Sequence, residues 1–293
     1  MSIQRIAILG TGLIGASAGL ALRAKGFSGT IAGWDPDAEQ LHAALRLGAV
    51  TVTADDPLTA AARSQVILLG GPVFTILEWL DRLAPVLNEH QLVTDVGSVK
   101  GALCAHTRGR YNAAGRPGFL PGHPMAGKEV GGAANADAEL FTGSVWLFTE
   151  CGAEMADGAR ALADEWRGRV AQFGCRTVDM DPNRHDELCA WISHLPQFVS
   201  TAIAALLEDE FAANADLLPI GGRALREMTR LGASPFSMWR DIAHTNTEAI
   251  AHSLQALEQR IAHLRENLKS PELREEFERA NRFRVRAPEK NRT

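Results

Sequence analysis

Gly10, Gly12 and Gly15 stand in the stretch Ile6-Ala7-Ile8-Leu9-Gly10-Thr11-Gly12-Leu13-Ile14-Gly15, after an apolar run and before Ala16, Ala18, Gly19, Ala21 and Ala24. This spacing suits a turn that cradles a dinucleotide. Gly10 allows the tight turn, Gly12 lets the backbone approach a pyrophosphate, and Gly15 lets helix pack closely on strand. The free N–H groups near Leu13 and Ile14 then face the anion, assisted by the helix dipole. Asp35 lies 20 residues beyond Gly15, at the end of Thr30-Ile31-Ala32-Gly33-Trp34. There it can accept hydrogen bonds from a ribose diol and repel a 2′-phosphate, so NAD is favoured over NADP. No arginine in Asp35-Pro36-Asp37 reverses that preference. Stripped of its strand, helix and acid, the same pattern is an ordinary Gly-rich turn.

A hydride-transfer site also needs a group that takes an alcohol proton, and histidine suits because its unperturbed pKa lies near neutrality. His123, in Gly118-Phe119-Leu120-Pro121-Gly122-His123-Pro124-Met125-Ala126-Gly127, follows a strand-like run and is surrounded by Gly and Pro. Ser98, in Asp95-Val96-Gly97-Ser98-Val99-Lys100-Gly101, sits at another strand end, where its hydroxyl can orient that imidazole. By residue type alone the pair reads equally as a capping serine and a surface-loop histidine. Further along, His185, His194, Gln197, Arg223, Arg226, Arg230 and Trp239 are candidates. His194 and Gln197 share a helix face beside Pro196. Arg230, in Glu227-Met228-Thr229-Arg230-Leu231, can clamp a carboxylate bidentately, although most helix arginines are solvated. Lys100 and Lys128 read as surface or cap residues.

These groups need a scaffold, and the first part of the chain supplies an α/β one. Strands are expected at Ile3–Leu9, Thr30–Trp34, Gln65–Leu69 and Gln91–Thr94, and helices at Leu13–Lys25, Asp37–Leu47, Phe74–Leu87 and Lys100–Thr107. Alternating βαβα with Val/Ile/Leu-rich strands indicates an N-terminal Rossmann-like, doubly wound parallel sheet. Gly70-Gly71-Pro72 and Asp95-Val96-Gly97-Ser98 follow the third and fourth strands, and such loops are where ligands bind, so Pro72 joins the cofactor candidates. Strands at Phe119–Leu120, Val145–Phe148 and Arg176–Val178, with a helix at Met155–Phe173, are expected to extend the same sheet. From Asp181-Pro182 everything reads helical, with Asp181 as a cap. The division is thus 1–180 for an NAD-binding domain and 181–293 for an all-helical substrate and dimerisation domain. Pro196 falls inside the run Leu188, Trp191, Ile192, Leu195, Phe198, Val199, Ile203 and Leu206, so a kink is expected there. Ile250, Leu254, Leu257, Ile261, Leu264 and Leu268 are spaced as an a/d seam, which suits a homodimer or one helix of an intramolecular bundle. The charge-rich tail from Ser270 is expected to fray.

Bulk properties narrow the partners. The 293 residues suffice for two domains, and 46% hydrophobic with 22% charged residues is a globular balance. A net charge of −5 gives no footprint for nucleic acid. Cys104, Cys151, Cys175 and Cys189 are scattered without metal spacing, and read as reduced thiols of a cytoplasmic protein with no metal. No membrane helix and no signal peptide are expected.

Taken together, Gly10–Gly15, Asp95–Lys100 (DVGSVK), Gly122–Gly127 (GHPMAG), Ser193–Pro196 (SHLP), Thr229–Arg230 (TR) and Met238–Ile242 (MWRDI) resemble the prephenate/arogenate dehydrogenase (TyrA) family. The likeness is collinear from about residue 3 to 268, and DVGSVK with GHPMAG is far more specific than the glycine fingerprint. It implies NAD-dependent oxidative decarboxylation of a cyclohexadienol in tyrosine biosynthesis. His123 matches the family's catalytic histidine, Ser98 the serine that orients histidine and substrate, and Arg230 the arginine for the ring carboxylate. His194 and Gln197 fall in the substrate region. Several family members carry a second histidine that reads the substrate side chain or bound tyrosine where this chain has Gln197, so the resemblance does not carry over side-chain preference or inhibition by tyrosine. No appended regulatory or chorismate mutase domain is expected. Prephenate is the expected substrate, with arogenate as the alternative. A β-hydroxyacid or imine dehydrogenase would instead show a helical catalytic lysine and no GHPMAG. A non-catalytic NAD sensor would need none of Ser98, His123 and Arg230.

Overall fold

Apolar segments bounded by Gly and polar turns form six parallel strands: β1 (Arg5–Leu9), β2 (Thr30–Trp34), β3 (Val52–Thr53), β4 (Val66–Leu69), β5 (Leu92–Asp95) and β6 (Gly118–Leu120). This computed structural model describes residues 2–128, 130–152, 154–211 and 217–286. The sheet order is β3-β2-β1-β4-β5-β6. Strand order reverses between β1 and β4, which opens a crevice at their carboxyl ends. Five helices connect the strands: α1 (Leu13–Ala24), α2 (Ala38–Arg46), α3 (Pro57–Ala62), α4 (Val73–Leu83) and α5 (Gly101–Thr107). Alternate residues of β1 serve opposite cores. Ile6 and Ile8 pack in one cluster with Leu22 of α1, while Ala7 and Leu9 pack in the other with Ile76 and Leu80 of α4. The short β3 and α3 are additions to the elements expected from the sequence.

The next strands do not all extend this sheet. Only β6 joins it, while β7 (Gly122–Pro124), β8 (Val145–Phe148) and β9 (Arg176–Asp179) form a separate three-stranded sheet. Pro121 separates β6 from β7 and has no N–H to continue a ladder. The next amide, Gly122, donates to the Asp95 side chain at 3.1 Å instead. The chain therefore turns, and β7 pairs antiparallel with β8. Helix α6 (Asp157–Gln172) follows β8. Cys104 of α5 and Cys151, just past β8, are joined by a disulfide with their Cα atoms 4.8 Å apart. This corrects the reading of four reduced thiols, because the fold brings together two cysteines 47 positions apart.

Beyond residue 181 the described chain is helical: α7 (Pro182–Cys189), a π turn (Ala190–His194), α8 (Leu195–Phe211), α9 (Leu217–Ile220), α10 (Arg223–Thr229), a 3-10 turn (Arg230–Ala233), α11 (Phe236–Thr245), α12 (Thr247–Glu266) and α13 (Glu272–Arg286). Asp181 caps α7 by accepting from the Asn183 and Arg184 amides. The distortion expected at Pro196 appears as the π turn directly before it. Proline withholds the amide that would serve the Ile192 carbonyl, and a wider turn re-registers the backbone. The tail expected to fray is helical over Glu272–Arg286, with Glu276 of α13 paired to Arg260 of α12 at 2.7 Å, and its last seven positions lie outside the described residues. An 18-residue window within the helical run 182–211 has a mean hydropathy of 1.3, enough by length and composition alone to pass for a membrane-crossing helix. The run carries buried His185 and His194 within the protein's own interior.

The helical region is fastened to the sheet region by two carboxylates. Neither α4 nor α5 has a cap from its own N-cap side chain. Asp241 of α11 accepts from the Phe74 amide at 3.0 Å. Asp186 of α7 accepts from the Lys100 and Gly101 amides at 2.7 and 2.8 Å. Each thus caps a helix of the other region.

Candidate active site

His123 is the middle residue of β7 and is buried. Its Nδ1 lies 2.9 Å from Nε2 of His185. His185 Nδ1 lies 2.8 Å from Oδ1 of Asp186, the carboxylate that caps α5. Burial, with His185, Lys100 and His194 nearby, holds the His123 pKa well below 6.5. Burial also lowers that of His185, against the pull of Asp186. Both rings are therefore neutral near pH 7, and the tautomers follow from the bonds. A carboxylate only accepts, so His185 carries its proton on Nδ1 and offers a lone pair at Nε2. His123 then donates from Nδ1, which leaves its own Nε2 as a free proton acceptor. That is the protonation state of a general base.

The platform beneath this relay is a buried ion pair. Lys100 Nζ meets Asp95 Oδ2 with both side chains fully buried. Lys100 does stand at the N-cap position of α5, as the cap reading has it, but its side chain is interior and not on the surface. Burial pushes the Asp95 carboxyl up and the Lys100 ammonium down, and their mutual attraction opposes both. Asp95 also accepts from the Gly97 amide at 2.8 Å and the Gly122 amide at 3.1 Å. One carboxylate therefore ties the end of β5, the Ser98 loop and the start of β7. Ser98 itself is half-buried in that loop. Among the described residues no hydrogen bond joins it to His123, whose Nδ1 is taken by His185.

The residues expected to hold the dinucleotide gather at the crevice. Gly10 has φ +100°, and a Cβ there would meet the Gly70 carbonyl oxygen at 1.9 Å. A Cβ on Gly15 would lie 2.1 Å from the Gly10 oxygen. At Gly12 a Cβ would meet nothing within 4 Å. Gly10 and Gly15 are thus required by the turn, whereas Gly12 faces open space at the start of α1, beside Leu13 and Ile14. Asp35 accepts from the Thr11 amide at 2.7 Å and the Asp37 amide at 3.0 Å. Pro72 opens α4 at the carboxyl end of β4. An uncapped helix start, an open glycine face and a carboxylate at the end of β2 fit NAD.

The helical side is arranged differently from expectation. His194 is buried, with Nδ1 3.3 Å from Asn246 Nδ2. Its Nε2 has no partner among the described residues. Burial lowers its pKa to about 4, so Nε2 bears the N–H of a neutral ring and remains a buried donor available to a ligand. Gln197 is expected to touch substrate, but the structure commits its amide elsewhere. It donates to the Leu231 carbonyl at 2.7 Å and accepts from Ser234 Oγ at 3.1 Å. Together with the Gly232 amide on Ser200 Oγ at 3.1 Å, this pins the 3-10 turn to α8. Arg230 is the first residue of that turn and is exposed. The residues that sequence reasoning passed over are Lys100, Asp95 and Asp186. Asp95 and Lys100 bound the DVGSVK motif, and Asp186 follows His185 inside α7, whose buried residues are His185, Asp186 and Cys189.

Residues 18–173 match the family model described as prephenate dehydrogenase, nucleotide-binding domain. Residues 181–282 match prephenate dehydrogenase, dimerization domain. Prephenate dehydrogenase from Bacillus subtilis is 32% identical over 254 residues, covering 84% of this chain and 65% of that protein's length. This chain therefore corresponds to about two thirds of that relative. The crystal structure of A. aeolicus prephenate dehydrogenase with hydroxyphenyl propionate and NAD+ superposes with a TM-score of 0.87 at 28% identity, covering 97% of this chain and 98% of that one. Synechocystis arogenate dehydrogenase superposes with a TM-score of 0.74 at 27% identity, covering 96% and 99%.

Proposed function

The chain belongs to the prephenate dehydrogenase family, and on that premise we propose that it catalyses the NAD-dependent oxidative decarboxylation of prephenate to 4-hydroxyphenylpyruvate. The observation that carries this reading is the buried, neutral His123 with Nδ1 committed to His185. NAD, when bound, supplies the hydride acceptor. Gly10, Gly12, Gly15 and the amides of Leu13 and Ile14 hold its pyrophosphate, Asp35 its ribose diol, and Pro72 borders the site. His123 Nε2 accepts the proton of the ring C4 hydroxyl as hydride leaves C4. The ring carboxylate departs as CO2, its electrons make the ring aromatic, and His123 returns the proton to the phenolic oxygen. Aromatisation supplies the driving force, so the protein's task is alignment and one proton transfer. Ser98 orients substrate against the imidazole from the loop that Asp95 anchors. Arg230 holds the ring carboxylate, and His194 offers its free N–H to the substrate.

Arogenate shares the reacting ring and differs only at the side-chain keto or amino group, so it remains the second reading, supported by the Synechocystis likeness. Gln197 favours neither, being occupied with the turn that carries Arg230. A homodimer through the helical region is part of the same proposal. Ile192 and Leu206 on the 182–211 run and Ile261 on α12 are exposed in the single chain, as expected of a face that a twin covers. The test is the near-ultraviolet absorbance of reduced nicotinamide with prephenate or arogenate and NAD or NADP. Turnover with prephenate and NAD supports the reading. Turnover with arogenate alone selects the second, and silence with all four pairs refutes both.

A further inference from the structure

Cys189 ends α7 with its Sγ 3.6 Å from His185 Nε2 and 3.9 Å from His123 Nδ1. The proposed reaction has no use for a thiol, and the His123–His185 hydrogen bond is complete without one. We propose that His123, His185 and Cys189 form a site for a thiophilic divalent cation, Zn²⁺ foremost, and that filling it inhibits the enzyme by removing the base.

Geometry supports the site first. Zn–N bonds of about 2.0–2.1 Å and Zn–S of about 2.3 Å in a tetrahedron put ligand atoms roughly 3.3 Å apart for N–N and roughly 3.6 Å apart for N–S. The three separations here are 2.9, 3.6 and 3.9 Å, within a few tenths of an ångström of those edges, and all three side chains are buried. Two imidazoles and one thiolate suit zinc, copper(I) or cobalt and not magnesium or calcium. The outer shell is already built, because Asp186 accepts from the far nitrogen of His185 at 2.8 Å. Such a carboxylate–histidine pair fixes the ring that a metal needs. Three protein ligands leave a fourth position for water.

The proton count explains the inhibition. His185 already presents a lone pair at Nε2. His123 must present one at Nδ1, so its proton moves to Nε2 and the outward nitrogen becomes a donor. Cys189 binds as the thiolate, so coordination releases the one thiol proton to solvent. Metal in, one proton out, and His123 can no longer accept the substrate's proton. The inhibitory half rests on the reading of His123 as the base, while the binding half does not.

The experiment titrates the metal-free 293-residue chain with Zn²⁺ by calorimetry and with Co²⁺ by absorbance, and follows turnover in parallel. The expected result is one equivalent per chain, a thiolate-to-cobalt charge-transfer band, and turnover lost with zinc and restored by a chelator. Cys189→Ser is expected to keep its turnover, lose the band and bind zinc about tenfold or more weakly. Cys189→Ala serves if the serine variant does not fold, and Cys175→Ser is the control that keeps the band. A band or zinc affinity unchanged in both Cys189 variants overturns the site. Zinc that binds through Cys189 yet leaves turnover untouched upholds the site and refutes His123 as the base.

Discussion

In the proposed reaction His123 depends on its neighbours, which decide which of its nitrogens is bare. Removing the base as His123→Asn should cost about 10²-fold or more in kcat, while NAD affinity, measured by fluorescence quenching, stays unchanged. Asp186→Asn attacks the tautomer instead of the base. An amide can offer a donor to His185 Nδ1 and so favour the wrong tautomer along the relay, and kcat should fall by about 10²-fold. Burial holds the His123 pKa well below 6.5, and turnover needs the neutral ring. The kcat profile should therefore be flat through pH 6.5 and fall only under more acid conditions, whereas an acid limb centred near 6.5 would place the base elsewhere. Stability follows the same sign. The folded-state pKa of His194 is depressed from 6.5 to about 4, so the unfolded chain binds the proton first. The contribution is full above pH 6.5 and is lost as pH falls toward 4, about 3 kcal/mol for this ring alone. Chemical denaturation at a series of pH values reads it. His123 was legible in the sequence because Gly and Pro around it left little structural reason for a histidine. Lys100 was not, since nothing local says that the fold will bury it against Asp95.

At the scale of elements, the unusual piece is the junction of α7 and α8. Pro196 forces a π turn that contains His194, and Gln197 one residue later fastens the Arg230 turn by two hydrogen bonds. Gln197→Ala should loosen that turn and raise KM for the substrate several-fold, with kcat and NAD binding nearly unchanged. A fall in kcat with KM constant would contradict the clamp. Pro196 announced a distortion in the sequence, because a missing amide is a local fact. The identity of the residues that Gln197 would meet was not legible, because Leu231 and Ser234 lie more than thirty positions away. Likewise Val145–Phe148 reads as a strand from its residues, but periodicity names no pairing partner, and β8 joined β7 and β9 instead of the main sheet.

The whole molecule is two regions joined by mutual capping, with the site on the seam. Asp186 belongs to the helical region, caps a sheet-region helix and holds His185 against His123, so under the proposed mechanism docking of the two regions also prepares the base. The exposed apolar side chains of Ile192, Leu206 and Ile261 imply a twin. Leu206→Glu combined with Ile261→Glu should shift the sedimenting species from dimer to monomer, and a species already monomeric in the unmodified protein would refute that assembly. The glycine turn, the βαβα order and the helical second half were legible because each is a local pattern. The Cys104–Cys151 disulfide and the two inter-region caps were not, being set by docking.

In the proposed mechanism His123, made neutral and correctly tautomeric by its relay, takes the proton as prephenate is oxidised. The most direct measurement is prephenate-dependent reduction of NAD by the unmodified protein and by His123→Asn, with NAD binding measured on both. The expected result is robust reduction by the first, at least about a hundredfold less by the second, and equal NAD affinity. Near-equal turnover in the two proteins would contradict that mechanism.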